Sequence, residues 1–198
     1  MEAATPGVDG RTARAERTRA ALADGLLTLL EEGDLRPTAA SIAARAGVSE
    51  RTLFQHFPER EALFQAAALA QAERIAPLVG TLPGPDAPPG ERVEAFVAQR
   101  ARVLERITPV RRAALQMEPS SSTVAGWLRA VRDGAAAEVA RVFKPELAGR
   151  PDRDELLAAL VAAAAWPTWE SLRAHQGLSV EVAEAAMRRT LGALLGCF

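Results

Sequence analysis

Tyrosine and asparagine are absent from the 198-residue chain, and lysine (Lys144) and cysteine (Cys197) occur once each. Histidine occurs twice, as His56 and His175. A single cysteine excludes an intrachain disulfide and fits a reducing compartment. There is no HExxH sequence and no glycine-rich phosphate loop, and His175 stands alone near an expected helix end, where a surface role fits it. The chain therefore offers no nucleophile with a base, no metal cluster and no phosphate cradle. Catalytic residues, metal ligands and cofactors are all expected to be none. No stretch approaches the roughly 20 apolar residues of a membrane span. The opening "MEAATPGVDG" lacks the basic-then-apolar order of a signal peptide. A cytoplasmic protein with no membrane partner is expected.

What is present is alanine and arginine in abundance, a skew that reads as GC-rich coding before it reads as function. With 48% hydrophobic and 25% charged residues, the composition is that of an ordinary folded domain rather than a disordered chain. No alternating period-2 run of useful length occurs, whereas helical periodicity recurs almost everywhere. Leu22, Leu26, Leu29 and Leu30 make one apolar helix face. Gly33 and Pro37 stop that helix, and Thr38 is a good N-cap for a second, with Ile42, Ala43 and Ala46 inward. Gly47 ends the second and Ser49 caps the third, which Pro58 closes. A fourth runs from about 59 toward Pro77 on Leu63, Phe64 and Leu69.

The stretch "GTLPGPDAPPG", Gly80 to Gly90, holds four of the 13 prolines and reads as a flexible connection. Beyond it, helices are expected at about 91–106, 108–117, 121–144, 152–175 and 179–196. Thr108-Pro109 reads as an N-cap with proline at the first helical position. The fold class expected is all-α: a small three-helix unit at 11–57, a connecting helix at 59–79, and a helical C-terminal domain at 80–198.

Two short helices joined by a glycine turn describe a helix-turn-helix. In "SIAARAGVSERTLFQHF", Ser41 to Phe57, Ala43 is small where the helices cross. Gly47 sits where the turn needs a positive φ, and Ile42, Val48 and Leu53 fix the angle. The outward residues of the second helix are then free to enter a major groove, which is about 12 Å wide. Acidic groups offset the arginines across residues 1–60, but Arg11, Arg14, Arg17 and Arg19 cluster while Asp24, Glu31, Glu32 and Asp34 lie toward the far end of the first helix. Nonspecific affinity for phosphates needs local rather than total charge.

The segment "TAASIAARAGVSERTLFQHFPEREALF", Thr38 to Phe64, resembles the DNA-binding signature of the TetR family of transcriptional repressors. The resemblance is dense over roughly the first 70 residues and looser in "WPTWESLRAHQGLS" and "LGALL" near the end. It implies an all-helical, non-enzymatic homodimer with a small-molecule pocket in its C-terminal domain. Three positions depart from the family pattern. Arg51 stands where a small residue is usual, and either reads guanine or binds phosphate. Phe54 replaces the usual tyrosine, and Arg60 replaces the usual lysine. Carried over by position, Thr38, Phe54, His56 and Arg60 hold the DNA backbone, Arg51, Thr52 and Gln55 face base edges, and Ser49, which caps the reading helix, is a DNA-binding candidate with them. Glu50 serves either the interface or the helix dipole.

In the C-terminal part, Phe96, Met117, Trp127, Phe143, Trp166 and Trp169 are candidates to line an apolar cavity, with a small, mainly hydrophobic effector as its ligand. Pro167 kinks its helix either around that cavity or to fit a neighbour. The helices at about 152–175 and 179–196 are rich in small residues, and a twofold homodimer is expected to cover them, with Leu160 and Leu191 at the interface. The partners so implied are double-stranded operator DNA, a second copy and the effector, for a repressor on a palindromic site. An activator would use the same parts. A helical adaptor without DNA specificity is the alternative class, and it leaves the pattern from Thr38 to Phe57 without a purpose.

Overall fold

The computed structural model describes residues 6–197, with side chains from Gly10 onward. The described residues are helical, with no strand among them. They run α1 (Pro6–Glu31), α2 (Ala39–Arg45), α3 (Glu50–His56), α4 (Arg60–Ile75), α5 (Pro89–Met117), α6 (Ser122–Val142), α7 (Lys144–Leu147), α8 (Arg153–Ala163), α9 (Trp166–Glu170) and α10 (Val180–Leu195). A single 3-10 turn, Ala76–Leu78, follows α4, and a π-helical turn, Ser171–His175, follows α9. No helix among the described residues is long and apolar enough to cross a membrane. The chain divides into two compact units, one of Met1–Arg74 with Pro109–Ala125 and one of Ile75–Thr108 with Gly126–Phe198.

In the first unit α2 and α3 pack on α1. Leu22, Leu26, Leu27 and Leu30 of α1 are buried together with Ile42, Ala43, Leu53 and Phe57, so the leucine stripe is the floor on which the two short helices rest. The approach is close: a methyl group added at Gly25 would stand 3.2 Å from the carbonyl oxygen of Ile42. Both short helices carry their N-caps. The Thr38 hydroxyl oxygen accepts from the Ser41 amide at 3.1 Å, and the Ser49 hydroxyl from the Thr52 amide at 3.2 Å. Each satisfies an amide that the first turn of a helix leaves without a partner. Between them Gly47 takes φ +69°, a left-handed conformation that costs glycine little and other residues more. On α4, Leu63 and Phe64 are buried as expected, but Leu69 is 64% exposed.

In the second unit α8 packs against α10. Phe96, Leu104, Leu128, Phe143, Leu160, Trp169, Met187 and Leu191 are its largest fully buried side chains. Leu160 and Leu191, expected at a dimer interface, are thus core residues of this unit. The outward stripe is formed instead by Ala158 and Ala162 on α8 and by Val182, Ala185 and Ala193 on α10.

Helix boundaries differ from the sequence expectation in two places. Residues 91–117 form one helix, with Pro109 inside α5. Thr108 does not cap a new helix, because its hydroxyl donates to the Leu104 carbonyl at 2.7 Å and accepts from the Trp166 indole N–H at 3.0 Å. Conversely, 152–175 is broken: α8 ends at Ala163 and Pro167 stands in the first turn of α9. There a missing N–H leaves no intrahelical bond unmade. The carbonyl of Ala164 at the break accepts from Arg100 Nε at 3.0 Å. Arg100 is mostly buried, which pushes its guanidinium below the ordinary value, while Glu138 at 3.3 Å opposes the shift.

The proline-rich connection is held, too. Arg92, 2% exposed, donates to the carbonyls of Pro85 (2.7 Å) and Ala87 and pairs with Glu146. A buried guanidinium needs such partners, because desolvating it unpaired is costly.

Candidate nucleic-acid interface

Helix α3 buries Leu53 and turns most of its other side chains outward. Glu50, Arg51, Phe54 and Gln55 are exposed, and Thr52 and His56 are partly covered. Arg51, Phe54 and Gln55 follow i, i+3, i+4 spacing and so share one face. Phe54 is 54% exposed, far more than an aromatic ring serving the core. Thr52 differs from its neighbours: its hydroxyl lies 2.9 Å from that of Ser49, so Thr52 and Ser49 satisfy each other at the start of the helix.

Thr38, Phe54 and Arg60 come together. They line one cleft of about 320 Å³, joined by Arg36 and floored by Phe57 and Leu63. Two guanidinium groups, a hydroxyl and an exposed ring edge around one concavity suit a phosphate–sugar backbone, which is bound by cations, hydroxyls and apolar contact rather than by base-edge patterns. Arg36 was legible in the sequence only as one charge among several. It is oriented by its Nε donating to Gln116 Oε1 at 2.6 Å, a contact 80 positions along the chain.

Three acidic residues of this unit, Asp24, Glu31 and Glu32, are occupied elsewhere, whereas Glu50 is exposed on α3 and Glu59 lines the cleft. Arg45 makes two 2.7 Å bonds to Glu32, and this guanidinium holds the Glu32 carboxyl below its ordinary range. Arg74 reaches Asp24 at 2.8 Å and Glu31 at 3.7 Å. These three carboxylates are paired with two arginines, and Arg36, Arg51 and Arg60 outnumber Glu50 and Glu59 on α3 and around the cleft. Local positive charge of this kind is what displaces counterions from phosphates.

The candidates for a ligand cavity do not all gather. Phe96, Trp127, Phe143, Trp166 and Trp169 belong to the second unit, whereas Met117 belongs to the first, where it lines a void of about 20 Å³ with Leu30, Ile42 and Phe64. Phe96 and Phe143 meet edge to face with centroids 5.3 Å apart, a favoured aromatic geometry. The indole N–H groups are spoken for: Trp166 donates to Thr108 and Trp169 to Glu105, at 3.0 and 2.7 Å. Trp127 is partly exposed. Among the described residues no group of three or more His, Cys, Asp or Glu is placed to hold a metal ion.

Residues 22–67 match the family described as bacterial regulatory proteins, tetR family. The structure is similar to the crystal structure of a transcriptional regulator from Rhodococcus sp. Rha1, with a TM-score of 0.67 and 21% sequence identity over 92% of this chain and 96% of that one. At that identity the likeness establishes the fold. No curated protein matches the chain.

Proposed function

From the match of residues 22–67 to the tetR family of bacterial regulatory proteins we propose that the chain is a homodimeric cytoplasmic repressor that leaves a palindromic operator when a small hydrophobic effector binds. As a regulator of this type it acts by binding DNA, not by catalysis. One observation carries the reading: the outward face of α3 presents Arg51, Phe54 and Gln55 while Thr38, Phe54, Arg36 and Arg60 line one cleft beside it. Arg51 and Gln55 read base edges, and the cleft grips the adjoining backbone.

Dimerisation is supported by the stripe of Ala158, Ala162, Val182, Ala185 and Ala193, which stays exposed on α8 and α10 in a single protomer. A twofold pair of reading helices about 34 Å apart would reach successive major grooves. For the effector, support comes from the aromatic interior of the second unit. Because the N–H groups of Trp166 and Trp169 already have protein acceptors, a ligand there meets ring faces and finds few hydrogen bonds. By moving α4, it would change the separation of the reading helices.

The test separates reading from gripping. Arg51→Ala costs about 1–3 kcal/mol on the preferred duplex and relaxes preference at one symmetric base-pair position. Arg60→Ala weakens all duplexes alike and lowers the slope of log K against log salt by about 0.9. Uniform weakening by Arg51→Ala would assign that residue to phosphate instead.

A further inference from the structure

Arg19 lies outside the matched segment and within the arginine cluster of α1, where charge alone would make it one more phosphate ligand. Its geometry is different. Arg19 Nη1 donates to the carbonyl of His56 at 2.6 Å, and its guanidinium carbon sits 4.2 Å from the centroid of the Phe57 ring. His56 is the last residue of α3 and Phe57 its C-cap, so both contacts fall on the C-terminal end of the reading helix.

That end needs support. α3 has 7 residues, far short of the roughly 12–15 at which an isolated helix becomes even marginal in water. Its N-terminus is fixed by Ser49, and Leu53 is its one buried side chain. The last carbonyls of a helix have no intrahelical donor and carry the negative end of its dipole. The Phe57 N–H returns to the Leu53 carbonyl at 2.7 Å, but the chain leaves helical geometry there, at φ −136° and ψ 83°. A guanidinium bonded to the His56 carbonyl meets both needs. Stacking on a ring that is itself only 2% exposed fixes the plane of the guanidinium, since arginine presents a flat, rigid fork.

We propose that Arg19 is a positioning residue of the reading helix: it clamps the C-terminal end of α3 to α1 and so sets the direction in which Arg51 and Gln55 point. The proposal rests on the DNA-binding reading for its consequence, but the clamp itself is a property of the free protein.

Two variants, Arg19→Ala and Arg19→Lys, test it with two readouts. In the free protein, amide hydrogen exchange at the C-terminal end of α3 should quicken at least about tenfold in Arg19→Ala, the scale set by losing a hydrogen bond to a charged donor. Exchange in α4 should stay unchanged. Arg19→Lys, which keeps the charge and a donor but not the flat fork, should fall between, and its milder change keeps the test open if Arg19→Ala fails to fold. In binding, discrimination between the preferred duplex and random duplex should fall about tenfold in Arg19→Ala, with the salt slope of the unmodified protein retained. A slope lowered by about 0.9, with exchange and discrimination unchanged, would make Arg19 a phosphate ligand and overturn the proposal. So would unchanged exchange at α3. If the unmodified protein binds no duplex, the DNA-binding reading fails, and the exchange result alone decides the clamp.

Discussion

Trp169 donates its indole N–H to Glu105 Oε1 at 2.7 Å, and the same oxygen accepts from Arg173 Nε at 2.9 Å. The carboxylate of α5 therefore holds a fully buried tryptophan of α9 and the π-helical turn that follows, in which Arg173 also donates to the Leu178 carbonyl. Glu105→Ala strands the buried N–H and should destabilise the protein by about 1.5–3 kcal/mol, the range for a hydrogen bond to a charged group. Arg173→Ala removes a partly exposed, screened pair and one bond to the Leu178 carbonyl, and should cost less, about 1 kcal/mol. Urea unfolding followed by tryptophan emission measures both. Equal losses would mean that the ion pair, not the indole bond, holds this turn.

The helix-turn-helix was legible because its determinants are local. Thr38 and Ser49 cap helices that begin one residue later, Gly47 supplies its own φ, and Ile42, Ala43 and Leu53 are buried on the period that placed them. The misread places are those where a distant residue decides. Pro109 continues a helix while Thr108 bonds Leu104 and Trp166, and the α8–α9 break is completed by Arg100, 64 positions away. The connection at 80–90 looked loose because its anchor, Arg92, lies on the next helix. Within the candidate site, Arg51, Phe54, Gln55 and Arg60 were visible from the pattern. The roles of Arg19 and Arg36 were not, because each depends on an acceptor far away in sequence, the carbonyl of His56 and the side chain of Gln116.

Assembly gives a contrast between two positions on α10. Ala185 is exposed and Leu191 fully buried within the chain. Ala185→Arg should yield a folded monomer, with helical circular dichroism retained. Leu191→Arg should unfold or aggregate, because an unpaired charge in the core costs several kcal/mol. Sedimentation of Ala185→Arg as an intact dimer would remove this stripe from the interface.

An effector that releases DNA must itself be released by DNA. With no tyrosine in the chain and 3 tryptophans, emission reports on Trp127, Trp166 and Trp169, all in the second unit. A hydrophobic effector should shift that emission over the concentration range in which it releases operator. Its affinity should fall by the same factor when DNA is bound, about 5- to 150-fold for a coupling of 1–3 kcal/mol. Equal affinity in both states would separate the aromatic interior from the switch.

Selection of bound duplexes from random DNA tests the central claim most directly. The account predicts enrichment of one palindromic sequence whose half-sites lie about one helical turn, roughly 34 Å, apart or a multiple of that. It also predicts that Arg51→Ala, carried through the same selection, loses preference at one symmetric position while keeping the others. Recovery of no common sequence by the unmodified protein would contradict the account, and would favour a helical adaptor whose partners are proteins.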